Sequence, residues 1–156
     1  IEFLMDPGLM LRFMTKNINT VEPHKNRVIF IPHYRERNIF GKLPKGIDLI
    51  DIDMHPTKLA IEILKSCLIC SSSLHGIIFA HALNRPAIFI RPQTDEPIIK
   101  FKDYFASIGR ELPMPLSDIY AVKFIKSPDS PLDLDYKLED FKFPSINMLE
   151  TLGILE

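Results

Sequence analysis

The run Cys70-Ser71-Ser72-Ser73-Leu74-His75-Gly76 carries the residue types best suited to chemistry in this 156-residue chain. It lies between an apolar, strand-like stretch and the apolar segment Ile77 to Leu83, so it reads as a strand-to-helix turn. Small hydroxyl residues leave the backbone accessible there. The first N–H groups of a helix have no intrahelical partner, and together with the helix dipole they attract an anion. His75 stands beside that anion with a titratable proton. Taken alone, such a pair reads as an N-cap beside a packing histidine; the rest of the chain changes the weighting.

The elements that must hold this turn follow from the hydrophobic pattern. Arg27 to Pro32, Asp48 to Ile52, Leu68 to Cys70 and Ala87 to Ile90 are short continuous runs of β-branched and aromatic type, the pattern of buried strands. Pro56 to Lys65 and Leu74 to Leu83 are the helices between them, the first opened by Pro56 and the second ended near Asn84-Arg85-Pro86. Successive βαβ units of this kind predict an α/β fold, a Rossmann-like open parallel sheet with helices on both faces.

Ligands collect at the carboxyl ends of the strands in such sheets. The residues just after the four strands are His33-Tyr34-Arg35-Glu36-Arg37-Asn38, then Asp53-Met54-His55, then the serine turn, then Arg91-Pro92-Gln93. A rim holding three of the five histidines together with Arg35, Arg37 and Arg91 suits a small, multiply charged anion. Loops are polar in any case, which is the plain alternative.

Outside this unit, Asp6-Pro7-Gly8 opens a short, very apolar helix running to Met14, which requires burial. Phe101 to Ile108 predicts a helix with Gly109 as its C-cap. Irregular structure follows from Leu112 to Phe143, with a short strand at Ala121 to Ile125 and Leu132-Asp133-Leu134-Asp135-Tyr136 as a solvated edge. A last helix spans Ser145 to Leu152. This divides the chain into a connecting helix (1–15), a Rossmann-like donor-binding domain (16–115) and an irregular extension (116–156).

Nineteen Lys and Arg against twenty Asp and Glu leave a net charge of −1, which argues against a nucleic-acid partner. Cys67 and Cys70 stand three apart on a predicted strand and so face opposite sides of the sheet, which disfavours a shared metal or a redox pair and points weakly to a reducing, cytoplasmic setting. No apolar run is long enough to span a bilayer.

Ser71-Ser72-Ser73-Leu74-His75-Gly76 followed by Ile77 to Leu83, then Pro86-Ala87-Ile88, then Phe101-Lys102-Asp103-Tyr104-Phe105, resembles the polysaccharide pyruvyl transferase family. Asp6-Pro7-Gly8-Leu9 and Ile31-Pro32-His33-Tyr34 are similar to that family too, so the likeness runs in order from position 6 to about 110. The resemblance implies an enzyme that adds a pyruvate ketal from phosphoenolpyruvate to a sugar of an exopolysaccharide or cell-surface glycan. It also implies two Rossmann-like domains arranged as in GT-B glycosyltransferases. This chain would be the carboxyl-terminal domain, inactive without its missing amino-terminal partner, with no cofactor beyond the donor substrate. Its location would be cytoplasmic, peripheral at the inner membrane face where the acceptor glycan is lipid-linked. Many members carry a donor-binding arginine where this chain has Ser73, so Arg35, Arg37 or Arg91 would have to replace it.

Ketal formation needs a proton delivered to the enol carbon, fixed positive charge for a carboxylate and a phosphate, and two attacking hydroxyls. His75 and His33 are the expected acid and base. Ser71, Ser72, Ser73, Leu74 and Gly76 form the expected binding turn. His81, six residues beyond His75, points to another helix face and reads as structural. A nucleotide-sugar glycosyltransferase domain and a non-catalytic domain of a polysaccharide system are the competing readings, and the apolar helix at 6–14 allows a homo-oligomer.

Overall fold

A computed structural model describes residues 5–18, 20–124, 130–142 and 145–151. Four parallel strands form the sheet: β1 (His24–Ile31), β2 (Ile47–Leu49), β3 (Ser66–Ser71) and β4 (Ala87–Phe89), in the order β2-β1-β3-β4. The helices are α1 (Leu11–Met14), α2 (Pro56–Leu64), α3 (Leu74–Ala82), α4 (Ile98–Ser107) and α5 (Ile146–Thr151). This is an open, Rossmann-like α/β arrangement. The chain leaves β1 for β2 on one side and returns to place β3 on the other, so the topological switch point falls between β1 and β3.

Register follows from side-chain alternation. Val28, Ile29, Phe30 and Ile31 pair with Leu68, Ile69, Cys70 and Ser71. Ile29, Ile31 and Ile69 point into one core, shared with Ile63 of α2, Ile77 of α3 and Phe101 of α4; Phe30, Leu68 and Cys70 point into a second core. The helices α2, α3 and α4 all pack on the first face, and the second is closed by a 3-10 helix, Ile119–Phe124, with Phe40 and Leu43. Helix α3 is apolar nearly all round because it is buried on nearly all sides, lying between the sheet and the amino-terminal segment.

That amino-terminal segment is a 3-10 turn, Pro7–Met10, followed by the single turn α1. Asp6 caps it through the Gly8 N–H at 2.7 Å, and Leu9 and Leu11 are buried against the chain's own core. The burial expected of this segment is met largely within the chain, mainly on α3, while Met14 remains exposed.

Three expectations are corrected. The strand expected at Ala121 to Ile125 is instead the 3-10 helix Ile119–Phe124, because the Asp118 carboxylate accepts the Tyr120 and Ala121 N–H groups at 2.8 and 3.1 Å and starts a turn; Ile125 lies outside the described residues. The stretch Leu132 to Tyr136 is no solvated edge. Tyr136 is buried, donates to the Leu9 carbonyl at 2.9 Å and lies under the Arg12 guanidinium, while Asp133 and Asp135 face out. Helix α4 starts three residues before Phe101, directly after Pro97. The last helix matches α5, with Leu152 outside the described residues.

Candidate functional site

The serine turn is seated by its own buried hydroxyls. The Ser71 hydroxyl lies 2.7 Å from the Ile31 carbonyl and accepts the Ser73 N–H at 3.0 Å. Ser72 donates to Glu36 and accepts the His33 N–H at 3.1 Å. Both hydroxyls are thus committed inside the fold, which leaves the backbone of the turn rather than these side chains to meet a ligand. Ser73 is the N-cap of α3 without a side-chain capping bond, and Leu74 and His75 open the helix.

Glu36 is the hub beneath the turn. Its side chain is completely buried, and its carboxylate accepts from the Ser72 hydroxyl, the His33 N–H at 3.2 Å and the Gln93 N–H. It therefore ties together the segments that follow β1, β3 and β4. A buried carboxylate requires such donors, since each unmet charge in the interior is costly.

Above this hub, a cleft of about 310 Å³ opens at the switch point. His33 and Tyr34 contribute from the end of β1, Ile52 and Asp53 from beyond β2, Ser73, Leu74 and His75 from beyond β3, and Lys100 from α4. This is where open α/β sheets bind ligands. The His75 imidazole is exposed, rests against the Phe79 ring at 5.9 Å, and makes no hydrogen bond among the described residues.

His33 is differently placed. Its Nδ1 accepts the Arg35 N–H at 3.5 Å and its Nε2 lies 3.2 Å from Glu96, so both ring nitrogens are engaged. Burial lowers its pKa from the ordinary imidazole value, and Glu96 opposes that shift. Glu96 in turn receives Lys100 as well as Arg35, the latter at 3.6 Å. Burial alone would raise the Glu96 pKa; the Lys100 hydrogen bond and the neighbouring positive charges outweigh it and bring it below the ordinary carboxylate value. Both ring nitrogens of His33 thus have protein partners, whereas His75 makes no hydrogen bond among the described residues.

The expected arginines separate. Arg35 is exposed, bonded to Tyr34 and within reach of Glu96 at the edge of the cleft. Arg37 is ion-paired at the exposed rim with Asp51, at 3.0 Å, and with Asp53. Arg91 is exposed at the end of β4 and does not line the cleft. Gly76 touches no open space: its position is filled by Ser71 and Ile31. The cation that sequence reasoning missed is Lys100. Its signal was the Glu96-Pro97 pair before α4, with Glu96 and Lys100 four apart. Glu36 had a signal too, at the spacing of a capping box with His33.

The fold and this cleft define the chain as a Rossmann-like α/β domain with a cleft at its switch point that is lined by both an acidic and a basic side chain, Asp53 and Lys100. No family model matches the chain, and no solved structure matches it. It is similar to an uncharacterized protein of Acanthamoeba polyphaga mimivirus, 34% identical over 119 residues, which are 69% of this chain and 40% of that protein. The chain spans about two fifths of the length of this relative. Among the described residues, no helix is long and apolar enough to cross a membrane.

Proposed function

We propose that this chain is the donor-binding domain of a pyruvyl transferase that uses phosphoenolpyruvate to place a pyruvate ketal on a sugar. The observation that carries the reading is the convergence of Ser73, His75 and Lys100 on one cleft at the switch point. The resemblance of the Ser-Leu-His-Gly turn to that family supports it. The α3 amino terminus receives one anionic group of the donor, and Lys100, released from its ion pair with Glu96, receives the other in place of the motif arginine absent at Ser73. His75 delivers the proton to the enol carbon. Two acceptor hydroxyls then form the ketal bonds at the neighbouring carbon as its bond to the phosphate oxygen breaks, one hydroxyl proton returning to His75 and the other leaving with the phosphate. The acceptor, a glycan carried on a lipid at the cytoplasmic membrane face, is held largely by a second domain.

Calorimetric titration with phosphoenolpyruvate and, separately, uridine diphosphate tests this. Tighter binding of phosphoenolpyruvate is expected, weakened roughly tenfold or more by Lys100→Ala, the scale of one charge-assisted contact. Preference for uridine diphosphate would make the domain part of a nucleotide-sugar glycosyltransferase instead. In the intact enzyme, His75→Ala should lower the transfer rate by about 10² to 10⁴ without loss of the fold.

A further inference from the structure

We propose that Glu96 determines which ligands the cleft accepts: in the free chain its carboxylate occupies the place on Lys100 that a ligand anion takes, so that a doubly charged anion is needed to displace it. This deepens the reading of the cleft as the donor's anion site and rests on it, though not on the reaction that follows. Glu96 stands just before α4, its side chain only 6% exposed, and does not itself line the cleft. Three groups converge on its carboxylate: Lys100, one helical turn on, His33 Nε2 at 3.2 Å and Arg35 at 3.6 Å. Of these, Lys100 and His33 line the cleft.

The other carboxylates near the cleft are taken. Glu36 has its donors in Ser72, His33 and Gln93, and Asp53 meets Arg37. Among the described residues, Lys100 makes its one ion pair with Glu96. Although burial pushes the Glu96 pKa up, the Lys100 hydrogen bond and the nearby positive charges bring it below the ordinary carboxylate value, so Glu96 is charged and competes directly with a ligand. A lysine is a point charge on a flexible stem, free to turn from one anion to another. A ligand with a single carboxylate exchanges like for like at Lys100 and leaves the nearly buried Glu96 with only Arg35 and the His33 ring, which favours the closed pair. A second charge shifts the balance, because the α3 amino terminus, which also lines the cleft at Ser73 and Leu74, attracts it.

Sulfate keeps a double charge across the neutral range, and acetate a single one. At constant ionic strength, sulfate should move the Glu96 carboxyl 13C and Lys100 Nζ 15N signals of the unaltered chain with one midpoint, while acetate at the same concentration should leave both in place. Glu96→Gln should bind sulfate roughly tenfold tighter, the scale of one charge-assisted contact, and that gain should shrink to about twofold or less in the Lys100→Ala background. An equal gain in both backgrounds, weaker binding by Glu96→Gln, displacement by acetate as readily as by sulfate, or no sulfate binding by either the unaltered chain or Glu96→Gln would overturn the proposal. The signals of the unaltered chain decide it if a variant fails to fold. Sulfate binding that follows the expected pattern in a chain that ignores phosphoenolpyruvate would uphold the role of Glu96 and remove the transferase reading alone.

Discussion

A Cβ placed on Gly76 would lie 2.2 Å from the Ser71 hydroxyl oxygen and 3.1 Å from the Ser71 Cβ. The first turn of α3 is therefore seated directly on the end of β3, and the absence of a side chain at Gly76 is what lets His75 stand at the mouth of the cleft. Gly76→Ala should cost about 1–3 kcal/mol, the usual penalty for overpacking. In urea unfolding, Ser71→Ala combined with Gly76→Ala should cost less than the sum of the two single variants, because one removes the atom the other strikes. Strict additivity would contradict the contact.

Glu36 makes the second prediction. Replacing its carboxylate by an amide in Glu36→Gln turns an N–H group towards the donors of Ser72, His33 or Gln93. The expected loss is about 1–3 kcal/mol of stability, the cost of a buried polar group left unsatisfied. Hydrogen exchange should quicken at His33, Ser72 and Gln93 together. Exchange unchanged at all three would remove Glu36 from its place as hub.

Stability should fall on mild acidification. Burial lowers His81 from 6.5 to about 4 and also lowers His33. The unfolded chain takes up these protons at a higher pH than the folded chain does, so the stabilisation is complete above 6.5 and is lost as pH falls towards about 4. His81 alone accounts for up to about 3 kcal/mol. Unfolding midpoints at neutral pH and near pH 4.5 should differ markedly in the natural chain and much less in His81→Phe/Tyr104→Phe. An identical pH dependence in the two would contradict the assignment.

Much of the fold was legible because it rests on local rules. The runs at Val28 to Ile31 and Leu68 to Cys70 are short and largely β-branched or aromatic, which favours buried strands, and Pro56 and Asp6 mark their helical turns without outside help. The serine turn was legible as a site because topology puts it at a strand end. What could not be read was which charges are already taken. Arg37 meets Asp51 and Asp53 only once β2 lies beside β1, and Lys100 reaches the cleft only once α4 packs across the sheet. The Ser71 hydroxyl bonds locally to Ser73, but its Ile31 partner 40 residues away and the Glu36 partner of Ser72 36 residues away leave no local trace.

The two cysteines should react differently. Burial pushes the Cys70 thiol up to about 12, whereas Cys67 is half-buried and both thiols are free. A disulfide-exchange reagent should label Cys67 in the native chain and reach Cys70 only on unfolding. Equal labelling rates in the folded protein would contradict this placement.

The most direct test of the central claim is where the donor binds. In a 1H–15N NMR titration of the chain with phosphoenolpyruvate, the account predicts shifts concentrated at the amides of Ser73, Leu74 and His75 and at Lys100, saturating together and lost in Lys100→Ala. Shifts that gather instead around Arg91, or at Arg12 and Arg85 in the separate cavity near the ends of α2 and α3, would contradict it, as would no shifts at all.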